Sequence, residues 1–209
     1  MSVLVQESLL DLGDTPEPGP LRPERTQLSH GAWIDVQRGW LSGAAHLLTR
    51  LAQDVPWRAE RRRMYDRTVA VPRLTCFYAD GLPLPHPVLD DCRQRLTRHY
   101  RPELGEAFTT AGLCFYRDGK DSVAWHGDTI GRGSKQDTMV AILSLGEARA
   151  LMLRPRIAGK TGALKYNLGH GDLIVMGGSC QRTWEHAIPK TARPAGPRIS
   201  VQFRPRGVR

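Results

Sequence analysis

From Leu113 onward the chain is written as short apolar runs of β type, and this half constrains the fold more than any other feature. Leu113–Tyr116, Thr138–Leu145, Ala148–Leu153, Ala163–Leu168, Leu173–Met176 and Arg198–Phe203 are rich in aliphatic, β-branched and aromatic residues. Turn formers separate them: Asp118-Gly119, Gly162, Gly169 to Asp172 and Gly177-Gly178. Many short strands at such spacing predict a sandwich or barrel. The 209 residues suit one domain with one sizeable core, and neither repeats nor a membrane-length apolar run interrupt it.

Two helices are expected upstream. Ala44, Leu47, Leu48, Leu51 and Val55 follow a helical period that stops before Pro56. Pro87 opens a second stripe of Val88, Leu89, Cys92, Leu96 and Tyr100. Both are read as packing helices on a mainly β protein of α+β class. Residues 1–25 are expected to be a flexible N-terminal segment, because Gly13–Pro23 holds four prolines and no hydrophobic period; the domain then runs over 26–209.

The net charge is +9, and residues 1–30, with five acids and two bases, contribute −3 of it, leaving +12 for the remainder. A basic surplus on the folded part favours a polyanionic partner. Cys76, Cys92, Cys114 and Cys180 are far apart, with no C-x-x-C pair, so neither a zinc ribbon nor a disulfide framework is indicated. Met1–Gly13 lacks a basic leader. A cytoplasmic monomer with no membrane association is the expectation.

Chemistry enters with Trp125-His126-Gly127-Asp128 and a later His186. Two imidazoles and one carboxylate on one face of an iron ion leave positions open for an oxo-acid and dioxygen. In H-x-D the two ligand side chains alternate as on an extended strand and can reach one ion. Taken singly, His126 reads better as a satisfied core histidine and His186 as a loop histidine. A second H-G-D, His170-Gly171-Asp172, competes by spelling; glycines bracket it just ahead of Leu173–Met176, so Asp172 is read as a turn former.

The C-terminal run from Arg198 to Arg204 alternates polar and apolar strictly. On a strand both guanidiniums therefore project to one face, with Ile199, Val201 and Phe203 on the other. Two arginines so placed suit a dicarboxylate, although a solvated face would be written the same way.

The order H-x-D, H, R-x-x-x-x-x-R, with Val71-Pro72-Arg73-Leu74, Tyr116-Arg117, Lys120–Asp128 and Trp184-Glu185-His186, resembles the AlkB family of Fe(II)- and 2-oxoglutarate-dependent dioxygenases over most of residues 65–205. The resemblance implies a double-stranded β-helix, or jelly roll, flanked by the two helices. It implies Fe(II) on His126, Asp128 and His186, and 2-oxoglutarate held by Arg198 with Tyr116. Arg204, counted with the catalytic set, would lie near the metal-chelating end, with Cys114 and Ser200 also along the cofactor. The implied reaction uses O2 to oxidise an N-alkyl group on a nucleic-acid base and releases an aldehyde, succinate and CO2.

Three positions depart from the family pattern. Cys114 stands where the family commonly has Asn, Ser200 and Gln202 fill its R-x-N-x-T-x-R run, and Ile130 occupies a place that repair members often give to an acid. Ile130 also keeps a second reading open, the same iron chemistry on a protein side chain or small metabolite. A third is a non-catalytic jelly-roll module that binds nucleic acid. For alkylated single-stranded or flipped-out bases, the expected contacts are Trp57, Tyr65, Arg73, Tyr78 and Ile130, amid Arg58, Arg61, Arg62, Arg63 and Arg67. Arg154, Arg156 and Lys160 extend that basic track weakly.

Overall fold

A computed structural model of the protein describes residues 15–64, 67–156 and 162–208, with backbone alone for 61–70. In chain order the elements are β1 (Glu17–Pro18), β2 (Glu24–Gln27), β3 (Ala32–Gln37), β4 (Leu41–Ser42), α1 (Ala44–Asp54), β5 (Arg58–Met64), β6 (Arg67–Tyr78), α2 (Pro87–Leu104) and β7 (Phe108–Tyr116). There follow β8 (Val123–His126), β9 (Val140–Gly146), β10 (Arg149–Pro155), β11 (Leu164–Leu168), β12 (Leu173–Gly178), α3 (Cys180–Thr183), β13 (Trp184–Ile188) and β14 (Arg198–Pro205). Among the described residues no helix is long and apolar enough to cross a membrane.

The strands form an eight-stranded sheet, ordered β2-β3-β12-β9-β14-β7-β6-β5, and a four-stranded sheet, ordered β11-β10-β13-β8; β1 and β4 make a separate pair. The central strands β9 and β12 of the large sheet are apolar on both faces. Along β9, Ala141, Leu143 and Leu145 join a core with α1 and α2, while Val140 and Ile142 join one with the small sheet. Strand β12 divides likewise, Leu173 and Val175 toward the helices and Ile174 and Met176 toward the other sheet. Covering on both faces is why these strands are spelled as continuous apolar runs instead of alternating ones. Each large side chain so buried contributes roughly 1.5–3 kcal/mol.

Both expected helices form. Helix α1 buries Ala44, Leu47, Leu48 and Leu51. Helix α2 buries Val88, Leu89, Cys92, Leu96 and Tyr100; Pro87 sits in its first turn, His86 accepts from Val88 N, and Gly105 ends it at φ 78°.

Of the segment expected to be flexible, residues 15–25 make defined contacts, while 1–14 lie outside the described residues. Gly19 N donates to Trp40 O at 2.7 Å, and Trp40 Nε1 returns a bond to Gly19 O at 2.9 Å. Strand β2 pairs with β3 from Glu24↔Val36 to Gln27↔Trp33. Arg25 clamps the buried Asp35 at 2.7 Å, and Tyr100 Oη of α2 donates to the same carboxylate at 2.9 Å. Prolines without a period nonetheless order here because neighbouring strands satisfy the backbone. Strands β3, β5 and β6 also precede the segment where strands were expected. All four cysteines are free.

Candidate active site

Two antiparallel registers assemble the site. Between β13 and β8, His186 pairs directly with His126, and a register shift follows between His186 and Ile188. Direct partners across such a ladder bring side chains on one face together; the two imidazole centroids are 4.2 Å apart. His186 is thus on a strand and 7% exposed, not in a loop. Asp128 lies just past the end of β8. His126, Asp128 and His186 offer ligand atoms within 4.8 Å of one another, the group among the described residues able to hold a metal.

Each ligand is held by a neighbour. The Ala124 carbonyl accepts from His126 Nδ1 at 2.8 Å, which places the proton there and leaves the Nε2 lone pair 3.8 Å from Asp128 Oδ1. Arg204 Nε donates to Asp128 Oδ2 at 2.7 Å, and Asp128 N donates to Gln181 Oε1 at 2.9 Å. A Cβ on Gly127 would come 2.5 Å from Gln181 O and 2.5 Å from Arg156 Nη2, so this H-x-D requires glycine at its centre.

Electrostatics keep the ligands in metal-binding protonation states. Burial pushes the Asp128 carboxyl upward, but Arg204 and the two imidazoles outweigh it and hold the group at about 2. Burial and the neighbouring His126 push His186 down to about 3, and burial lowers His126 as well. The trio is a carboxylate with two neutral imidazoles near neutrality.

The second register pairs β14 with β7, setting Arg198 opposite Tyr116, Ser200 opposite Cys114 and Arg204 opposite Thr110. The expected alternation holds: Ile199, Val201 and Phe203 enter the core under the helices, while Arg198, Ser200, Gln202 and Arg204 line a cavity of about 450 Å³. Tyr116, Cys114 and all three metal-site residues line the same cavity. Gln202 ties the run together, donating from Nε2 to Cys114 Sγ at 3.3 Å and Ser200 Oγ at 3.1 Å and accepting from Arg204 Nη2 at 2.7 Å.

Arg198 is 1% exposed, its guanidinium carbon 5.3 Å from the Tyr116 ring centroid. Its Nε donates to Ser144 Oγ at 3.0 Å, whereas Nη1 is buried without a partner. A buried guanidinium with an unanswered donor is costly, and a carboxylate bound in the cavity would answer it. Burial drives Arg198 toward losing its proton and pushes the Tyr116 phenol up to about 12.

The rival motif lies elsewhere. Asp172 accepts from Gly39 N, Gly169 N and Arg38, and His170 Nδ1 accepts from Gly146 N at 2.8 Å. Gly171 sits at φ 76° within the turn.

Of the expected substrate contacts, Arg73 and Ile130 line the cavity, Ile130 being 64% exposed. Trp57 and Tyr78 lie outside that lining. Trp57 packs on Phe115 at 5.3 Å and donates to Leu51 O, and Tyr78 packs on the helix-side core; rings this large are drawn into apolar contact wherever the fold supplies it. Tyr65 and Lys160, and the side chains of Arg61, Arg62, Arg63 and Arg67, lie outside the described residues. Arg154 is committed to Glu185 at 2.9 Å and to the face of Trp125. Arg156 donates to Trp184 O.

Four contributors went unread in the sequence. Gln181 seats Asp128, and Ser144 seats Arg198. Arg149, 4% exposed, donates to the Asp118, Asp121 and Pro189 carbonyls beside Tyr116. Glu60 lines the cavity and accepts from Thr75 Oγ1 at 2.6 Å. A lone arginine opening an apolar strand was the available signal for Arg149; nothing local marks Gln181.

The family model of the 2OG-Fe(II) oxygenase superfamily matches residues 75–204. Alpha-ketoglutarate-dependent dioxygenase alkB homolog 3 of Homo sapiens is 31% identical over 194 residues, covering 82% of this chain and 63% of the relative. DNA oxidative demethylase ALKBH2 of Arabidopsis thaliana is 29% identical over 217 residues, covering 85% and 67%. The chain thus spans less than two thirds of the human relative's length. Among solved structures, OsALKBH1 superposes with TM-score 0.56 at 14% identity, covering 86% of this chain and 100% of that one, which supports the jelly-roll fold. A family match across more than half of the chain, joined to curated AlkB relatives, shows that this chain belongs to the 2OG-Fe(II) oxygenase superfamily, within its AlkB family.

Proposed function

We propose that the protein removes alkyl groups from nucleic-acid bases by oxidation, using Fe(II), 2-oxoglutarate and O2. The observation that carries this reading is one cavity holding a two-histidine, one-aspartate set beside a buried guanidinium whose Nη1 lacks an acceptor. Relatives named as DNA oxidative demethylases support the choice of substrate.

Both cofactors fit the residues present. His126 Nε2, Asp128 Oδ1 and a nitrogen of His186 would hold the ferrous ion, and Arg198 a carboxylate of the oxo-acid. Iron, 2-oxoglutarate and dioxygen together supply the oxidising equivalent that hydroxylates an N-alkyl carbon, after which the product releases an aldehyde.

The chain's own work is placement and exclusion of water. Ala124 O fixes the His126 tautomer, Arg204 and Gln181 fix the Asp128 carboxylate, and Ser144 and Tyr116 orient Arg198. Ile142, Leu151, Leu168 and Ile188 add apolar walls to the lining, which strengthens the charged contacts beside them. Arg73 and Ile130 at the lining are where a base taken out of its stack would be received.

Formaldehyde release and loss of the alkyl mass from methylated single-stranded oligonucleotides, with Fe(II) and 2-oxoglutarate supplied, test the reading. Succinate formation with no mass loss from any oligonucleotide would transfer the same chemistry to a protein or metabolite substrate.

A further inference from the structure

Three cavities of the molecule adjoin one another through shared lining residues. Phe77 and Ile130 line both the active-site cavity and a neighbouring groove of about 440 Å³. Asp80 then lines both that groove and a third, of about 730 Å³, along α2. The joints differ in chemistry. Phe77 at 41% and Ile130 at 64% exposure are two of the three exposed large hydrophobic residues among those described. The far groove is cationic.

On its α2 side lie Arg98 and Arg101, exposed and without an acidic partner among the described residues, while Arg206, which lines the middle groove, is paired with Asp80. Each of the other arginines of α2 is committed: Arg93 to Asp90 and the Thr109 carbonyl, Arg95 to Asp91. An apolar shelf beside the catalytic mouth, continued by exposed guanidiniums, has the two parts a single strand needs: a face for stacking and charges for phosphates.

We infer that a single-stranded polynucleotide leaves the active-site mouth over Phe77 and Ile130 and runs along the α2 groove, its phosphates held by Arg98 and Arg101. This rests on the nucleic-acid reading above and adds a path away from the arginine-rich hairpin of β5 and β6. The contacts are sequence-independent, so the track governs affinity and length dependence, not the choice of lesion.

The test compares the intact protein with Arg98→Glu/Arg101→Glu, using a methylated oligonucleotide of about twenty nucleotides and a methylated trinucleotide too short to reach α2. The reversed pair is expected to raise KM for the long substrate about tenfold with little change in kcat, the penalty shrinking on the trinucleotide. The log–log salt slope of binding should fall by about 0.7 for each phosphate that is no longer neutralised. Arg98→Gln/Arg101→Gln should give an intermediate effect, and Arg193→Glu, an exposed charge reversal lining none of these grooves, should give none. An unchanged KM in the reversed pair, an equal penalty on both lengths, or the same penalty from Arg193→Glu would overturn the track and leave the activity standing. No turnover of any oligonucleotide by the intact protein would overturn the functional reading and the track with it.

Discussion

Arg204 donates from Nε to Asp128 Oδ2 at 2.7 Å, so a residue near the end of the chain sets the orientation of a carboxylate 76 positions earlier. The same guanidinium reaches Gln202 Oε1, so its plane is fixed on two sides. Lysine cannot span both acceptors. Arg204→Lys should keep the fold and weaken metal binding by about 10–100-fold, the usual cost of losing a partner behind a ligand. Titration of the metal-free protein with Mn(II) measures it; unchanged affinity would show that Arg204 does not position Asp128.

His126 and His170 begin identical tripeptides, yet one faces His186 and the other caps a turn. His126→Ala should abolish metal binding and turnover. His170→Ala should retain both and lose about 0.5–1.5 kcal/mol of stability with the bond to Gly146 N. Metal analysis and denaturant melts of the two variants separate the roles, and an active His126→Ala would remove the site assignment.

Arg198 is a buried cation whose Nη1 has no partner. Replacing it with methionine should abolish 2-oxoglutarate binding while raising the Tm of the ligand-free protein, since an uncompensated buried charge is exchanged for apolar contact. Calorimetric titration with 2-oxoglutarate and a thermal melt give the two readouts. A lower Tm together with retained binding is the contrary result.

His186 sits at about 3 and His126 below its ordinary value, both through burial. An imidazole with a depressed folded pKa is neutral in the fold, and the unfolded chain takes up its proton first as pH falls. The stability tied to these groups is complete above the unfolded value of about 6.5 and is lost as pH drops toward the folded one. Asp128, held at about 2, adds to the loss at lower pH with the same sign. Urea melts of metal-free protein at pH 7.5 and pH 5 should show this decline, and His186→Ala should flatten it.

Gly127→Ala places a methyl 2.5 Å from the Gln181 carbonyl. It should cost about 1–3 kcal/mol by overpacking and weaken the metal site, because the Asp128 backbone N is held by the same residue, Gln181. Guanidinium denaturation and Mn(II) titration check both effects.

What could be read from the chain alone was whatever depends on local period. The alternation from Arg198 to Arg204 fixed which residues share a face, and the stripes of Ala44–Val55 and Val88–Tyr100 gave both helices their buried sides. Pairing was not local. Strand β3 and the short strands β8 and β13 lack a period long enough to announce themselves, yet the second pair brings His126 against His186. Trp57 and Tyr78 are spelled like substrate contacts, and both also pack against the helix-side core, since an aromatic ring suits either place until its neighbours are known.

The sequence by itself determined a mainly β chain with two packing helices, a basic domain, and the residue types of an iron site and a carboxylate grip. Only the tertiary structure decided which H-G-D meets the third ligand and that Gln181 and Ser144 hold the working groups. Those outcomes depend on registers between strands far apart in sequence, and a register is set by how whole faces pack together, not by the residues it happens to align.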